Sequence, residues 1–285
     1  MANRYAVANG NWSNTATWDG GTLPTSADVV RPNNFTVTID QNITVQQLIN
    51  DAVAPAVANG SFVLTGNFTV NISVSIVCLN TTVLTYNGTG SASIIGTTSS
   101  VPILPSPSIA TTTVVHSGTG TLTIDMLITS VGTGGTSGRT NVAITGTGST
   151  TNFLKTIQKF VSVGTSEASS AVLIVGTNNI VNTISILGWN SQIQQAITGI
   201  VHLQGTNTVL NVNGNVSTSA VTVFNTSVIQ AASGGNQINI TGNVSGQPGG
   251  GGAHGTIYLV GTNNTVTING NILSSVARAI NSTTI

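Results

Sequence analysis

The chain repeats itself at a nearly fixed step. Three stretches align by eye: GTNTVLNVNGNV from Gly205, SGGNQINITGNV from Ser233 and GTNNTVTINGNI from Gly261. Within them Gly214, Gly242 and Gly270 recur at one constant step of 28. Each is followed by an asparagine (Asn215, Asn243, Asn271) and then by an aliphatic residue (Val216, Val244, Ile272). Turn markers carry the series upstream through Pro32, Gly60, Gly88, Gly118, Gly146, Gly176 and Gly205, at steps of 28 to 30. Val201, Ile229, Ile257 and Ile285 keep the same phase.

A fixed period in strand-forming residues has few physical solutions. The repeat is too short for a four-stranded propeller blade, and it lacks the helix of a leucine-rich repeat. Three short strands and three turns fit it. The expected fold is therefore all-β, a right-handed parallel β-helix with about 28–30 residues per coil, each coil stacked on the last by backbone hydrogen bonds. At the strand spacing of about 4.8 Å, residues 32–285 give about nine coils and a rod roughly 40–45 Å long.

Composition agrees. Thr, Val and Ile suit a pleated surface, whereas Glu, Lys, Arg and Met, which favour helix, are scarce. Strict alternation places Val266 and Ile268 inward and Thr265 and Thr267 outward. Leu210/Val212, Ile238/Ile240, Val37/Ile39 and Leu122/Ile124 read as the same inward columns. The Gly-Asn pairs read as sharp corners that need positive φ, which Gly accepts and Asn tolerates. Asn215, Asn243 and Asn271 would then stack as a structural ladder.

Charge excludes several functions. Only 4% of the residues are charged, 6 Lys+Arg against 6 Asp+Glu, where a soluble domain carries roughly 25%. No basic surface exists to neutralise phosphates, so nucleic acid is not an expected partner. No basic face suits anionic lipid, and no apolar run approaches the roughly 20 residues of a spanning helix; membrane insertion is not expected. MANRYAVANG holds no apolar core of a secretory signal. The single cysteine, Cys78, gives no internal disulfide framework.

Candidates for chemistry are few. Asp40 and Asp125 read as similar repeat positions three coils apart, about 14 Å, too far for paired glycosidase carboxylates. Asp125 and Glu167 do not share a column, and Asp19, Asp28, Asp40 and Asp51 lie in the cap and first coils. His116, His202 and His254 follow no metal-ligand spacing and read as outward strand residues. Tyr258 and Gln230, in the column of His202, favour a solvent-facing position there. QPGGGGAH, residues 247–254, lacks the Lys-Ser/Thr of a phosphate loop and reads as a turn. Thr36/Thr38, Thr121/Thr123 and Thr265/Thr267 give a TxT pattern of the kind found on ice-binding faces. Val209/Asn211 and Gln237/Asn239 break it. The same uncharged rows, with Trp189, Tyr258 or His202 for stacking, could contact saccharides. No cofactor, no metal and no intrachain catalytic site are expected; a site shared between subunits remains open.

The two ends differ from the middle. Residues 1–31 contain Trp12, Trp18, Pro24 and Asp28, with Arg4, Asp19 and Arg31 close by, and read as an N-terminal cap or docking segment that hides the open edge and core mouth. Residues 272–285 resemble residues 216–229 and show no cap. A covering partner subunit or a longer polypeptide is the expectation there.

The opening MANRY, then GNW, a second Trp and GGTLPTSADVV resembles the N-termini of many phage virion proteins, in which such a segment leads into a Thr/Asn-rich β-helix. The resemblance covers only the opening segment that ends near Arg31 and implies a tail fibre, tail spike or other virion appendage. It implies a homotrimer assembled in the host cytoplasm, with other virion proteins and host surface glycans as partners. It carries over no catalytic residue. The function expected is a non-enzymatic structural protein of a phage virion involved in host attachment. A bacterial surface adhesin fragment is the alternative, since similar openings occur in secreted β-helix adhesins. A polysaccharide-degrading tail spike comes third.

Overall fold

The computed structural model describes residues 2–50, 60–79, 81–104, 111–132, 140–161, 170–190, 200–218, 227–246, 256–274 and 280–282. It is a parallel β-helix with almost no helix. One coil shows the plan: Thr112–His116 lies on a first face, Thr121–Asp125 on a second and Leu127–Gly132 on a third, before Thr140–Ile144 returns to the first. Every strand of this coil pairs in parallel with its counterparts one coil before and one coil after. The first face stacks 11 strands among the described residues.

Register puts like on like. On the first face Val114, Val142, Val172, Val201, Ile229 and Ile257 form one inward column. On the second face the column is Leu122, Thr151, Val181, Leu210, Ile238 and Val266. On the third it is Ile128, Ile157, Ile186, Val216, Val244 and Ile272. The interior members of these columns are fully buried and form one continuous core. Branched aliphatics serve here because a Cβ branch fills the gap to the identical residue one strand spacing away.

On the first face the regular step holds from Tyr86 to Leu259. Register places Ile39 under Leu64 and Leu64 under Tyr86, and both steps are shorter than the later period. From Tyr86 the column runs through His116, Ile144, Ile174, Leu203, Ala231 and Leu259 at the longer, regular step. Gly60 consequently leaves the turn-marker column: it precedes a first-face strand and packs on Phe35, whereas Gly88 follows one. The even step from Pro32 to Gly60 to Gly88 is thus a coincidence of spacing. Val37 and Ile39 are inward but lie on the first face, so they do not share a column with Leu122/Ile124 on the second. Thr36 and Thr38 sit with them. Ile285 lies outside the described residues, and the strand that pairs with Ile257 begins at Ile280.

The glycine markers act by close approach rather than by positive φ. A Cβ at Gly118, Gly146, Gly176 or Gly205 would meet the carbonyl oxygen of the glycine one coil below. The coils touch there, backbone on backbone. Gly214, Gly242 and Gly270 likewise are not among the positive-φ residues, and a Cβ on Gly242 would stand 2.5 Å from the Gly214 carbonyl carbon. Left-handed backbone occurs instead two positions after the first-face marker, at Gly148, Asn178, Asn207, Gly235 and Asn263. Only Gly and Asn adopt that conformation at little cost.

Residues 1–31 supply strands of their own. Ala2–Tyr5 pairs with Asp28–Arg31 on the third face, and Gly10–Asn11 pairs with Thr36–Ile39 on the first. Two short 3₁₀ turns, Thr15–Thr17 and Asp19–Gly21, lie between them. At the far end Val266 and Ile268 are half-buried, and Ile272 and Leu273 are 53% and 54% exposed.

Substituting Gly176→Ala should lower stability by at least about 1–3 kcal/mol, because the methyl must push two backbones apart. Gly148→Asn should be near neutral: its φ is +70° with nothing within 4 Å of a Cβ, and Asn already holds that place in three later coils. Urea denaturation of the two variants checks the contrast.

Candidate functional site: amide ladders and a buried histidine

Three ladders of polar side chains run along the rod. The anticipated one lies after the second face. The Asn243 backbone N–H donates to Asn215 Oδ1 at 2.8 Å, and the Asn271 N–H donates to Asn243 Oδ1 at 2.8 Å. Below them the Asn215 N–H donates to Ser185 Oγ at 3.1 Å. This ladder is exposed.

A second ladder is buried at the corner between the first and second faces. Asn179 Oδ1 accepts from the Ser149 backbone N–H at 2.9 Å and from Ser149 Oγ at 2.8 Å, while its Nδ2 donates to Gly146 O at 2.9 Å. Asn236 Oδ1 accepts from the Thr208 N–H at 2.9 Å and Asn264 Oδ1 from the Asn236 N–H at 2.8 Å. Ser149, Asn179, Thr208 and Asn236 are all fully buried. These residues directly follow the positive-φ column, which turns the chain so that each amide points at its neighbour. The GTNN, GTNT and GTNN quartets at 176–179, 205–208 and 261–264 were the signal in the sequence.

A third ladder faces outward on the second face. Asn182 Nδ2 donates to Asn152 Oδ1 at 2.7 Å, Asn211 Nδ2 to Asn182 Oδ1 at 2.8 Å, and Asn239 Nδ2 to Asn211 Oδ1 at 2.9 Å. Asn211 and Asn239, which interrupt the TxT pattern, therefore belong to an amide chain of their own. Thr123 continues the column below and Thr267 above. Ile180 and Ile184 flank Asn182 on the same coil, both more than two-fifths exposed.

At the N-terminal end Trp12 and Trp18 are buried and meet edge to face at 4.8 Å, with Trp12 at 5.9 Å from Phe62. The Trp18 indole N–H donates to Trp12 O at 2.9 Å, which satisfies it inside the core. Asp28 is buried and closes the turn after Pro24: its Oδ2 accepts from the Thr25 N–H at 2.8 Å and from Thr25 Oγ1 at 2.9 Å. Pro24 itself is half-buried. The Tyr5 N–H donates to Asp19 Oδ1 at 3.0 Å, and the Arg4 guanidinium donates to Asp19 O at 2.8 Å.

The other described carboxylates are also engaged. Asp40 accepts from the Ser13 backbone N–H at 3.0 Å, and Asp125 pairs with Lys155 Nζ at 3.0 Å. Asp40 follows a first-face strand and Asp125 ends a second-face strand, so they are not equivalent positions as the spacing implied. Asp51, Glu167, His254 and residues 247–254 lie outside the described residues. Among the described residues no group of three or more His, Cys, Asp or Glu side chains could hold a metal ion. Among them, too, no helix is long and apolar enough to cross a membrane.

The histidines depart most from expectation. His116 points inward, fully buried, in the column between Tyr86 and Ile144. Its Nδ1 lies 2.8 Å from Thr151 Oγ1, its ring is 5.1 Å from that of Tyr86, and its Nε2 has no partner. Burial pushes its pKa down to about 4, against a smaller upward pull from the Gly120 backbone. Burial also raises the Tyr86 hydroxyl, which donates to Gly90 O at 2.8 Å. His202 occupies the outer row of the first face but is 5% exposed, and burial lowers its pKa. His116 reads outward from the residues alone because an isolated His at a strand end gives no phase of its own, whereas His202 does keep the outer row of Gln230 and Tyr258 and differs only in being covered. Cys78 is buried, its thiol 3.0 Å from Thr81 O.

The chain matches no family model, no curated protein sequence and no solved structure.

Asn179→Ala should cost about 1–3 kcal/mol, since it strands the buried Ser149 N–H and hydroxyl. Asn243→Ala on the exposed ladder should cost less than about 1 kcal/mol, because water replaces the lost partner. Chemical denaturation of both variants tests the ranking.

Proposed function

We propose that the chain is a non-enzymatic structural protein of a phage virion, a tail fibre, tail spike or similar appendage that takes part in host attachment. One observation carries the reading. A stack of coils presents one outer row of hydroxyl and amide side chains, free of charge and continuous along the second face from Ser93 to Thr267, beside a second row from Ser91 to Thr265 that Ile180 and Val209 interrupt. Such rows suit repetitive contact with other neutral surfaces, and salt leaves contacts of this kind unscreened. The opening GNW and GGTLPTSADVV, with their resemblance to virion proteins, support the same reading. The described carboxylates serve turns and ion pairs of the fold, which favours a structural role over a hydrolytic one.

The proposed partners are two further copies of the chain, neighbouring virion proteins and glycans of the host surface. The proposed location is the virion. Light scattering on the purified chain, with negative-stain images of the same sample, tests the reading. Rod-shaped trimers are the expected result. A stable monomer would overturn the trimeric appendage and move the weight to an adhesin fragment.

A further inference from the structure

The largest change of coil size along the first face falls where a buried histidine sits. The step from Leu64 to Tyr86 is short, and the step from Tyr86 to His116 is distinctly longer. Tyr86 and His116 are both fully buried at that step, their rings 5.1 Å apart. Beyond them the inward first-face column is aliphatic. His116 also links two faces, because its Nδ1 meets Thr151 Oγ1 on the second face of the following coil.

We propose that the His116 coil is an acid-labile joint, where protonation loosens the stack and uncouples the N-terminal coils from those that follow. The neutral ring needs one partner at Nδ1 and leaves Nε2 without one. The imidazolium carries N–H donors at both nitrogens. Nδ1–H can donate to Thr151 Oγ1, whereas Nε2 has no hydrogen-bond partner, and the pull of the Gly120 backbone toward the charged ring is smaller than the cost of burial. A buried unpaired cation is among the costliest groups a core can hold.

Among the described residues no neighbouring charge offsets it. First-face strands Leu84–Tyr86 and Thr140–Ile144 flank His116 and bring only Tyr86 as a titratable group. Second-face strands Thr121–Asp125 and Thr150–Phe153 bring Asp125, which stands at the outer corner paired with Lys155. Cys78, on Thr69–Cys78, lies toward the opposite end of the His116 strand beside Thr111. Tyr86 and Cys78 remain neutral in acid.

The sign follows from linkage. A histidine held neutral in the fold stabilises it fully above its unfolded pKa of 6.5. That stability drains away as the pH falls from there toward the folded value, because the unfolded chain takes up the proton first. Contacts in a solenoid run only between neighbours, so a loosened coil divides the rod instead of melting it as one unit.

Hydrogen exchange of the unmodified chain at pH 7 and pH 5, corrected for the intrinsic pH dependence, tests the proposal without a variant. The described strands between Leu84 and Phe153 should lose protection first at pH 5, while the coils on either side keep theirs. Uniform loss along the rod, or first loss elsewhere, would overturn it. A second measurement compares the pH dependence of urea stability in the unmodified chain, His116→Gln and His202→Gln. Removing His116 should abolish a loss of about tenfold or more in the folding constant between pH 7 and pH 5. An unchanged pH dependence in His116→Gln, or one abolished by His202→Gln alone, would contradict the proposal. His116→Leu serves the same comparison should His116→Gln fail to fold.

Discussion

Each coil must lie one strand spacing above the last, and the other features follow from that distance. At about 4.8 Å a side chain touches the residue at the same place in the next coil before it touches anything else. Columns must therefore be self-compatible. Aliphatics stack on aliphatics inside, and amides donate to amides at the corners and on the outer face. Like charges cannot stack at this distance without repulsion, which gives a physical reason for a chain with so few of them. The backbone contacts at Gly118, Gly146, Gly176 and Gly205 are the same constraint with no side chain left between the coils.

The polar ladders solve a second problem. A corner breaks the regular pairing of strands and leaves backbone N–H groups inside the rod. Asn179, Asn236 and Asn264 accept those N–H groups and donate to the turn below or beside them. Near the N-terminus Asn9, Asn42 and Asn67 accept in the same way from Thr36, Thr69 and Ser91. The carboxamide suits the task because it carries acceptor and donor on one rigid plane. These corners thus have partners, and a stack without a wide globular core holds its register.

The period, the parallel stacking, the alternation in Leu210–Val212 and Ile238–Ile240, and the aromatic N-terminal segment could all be read from residues alone. Each of the first three is a pattern that repeats, and repetition carries phase. Legibility ended where the pattern changed. The short coils ending at Leu64 and Tyr86 mimic the later period in their glycines, so Pro32 and Gly60 seemed to belong to a column that begins only at Gly88. Val37-Thr-Ile39 has the alternation of the second face but lies on the first, because alternation reveals inside from outside and not which face a strand occupies. Gly214 and Gly242 looked like positive-φ corners, and only the spacing between coils shows that they are contact points. His116 was assigned outward because the inward register of its strand depends on its pairing with Tyr86 and Ile144, which no local pattern reveals.

The central claim is that distance along the rod counts coils, not residues. Double electron–electron resonance between spin labels in one outward column measures this directly. Ser91, Thr121, Thr150, Ile180, Val209, Gln237 and Thr265 succeed one another in register. Backbone separations of about 24 Å for Ser91 with Gln237 and about 29 Å for Ser91 with Thr265 are predicted from the strand spacing. An increase of one strand spacing between the two pairs, after the label arms are allowed for, supports the stack. Equal distances, or a shorter one for the more remote pair, would show a chain that closes on itself and would contradict it.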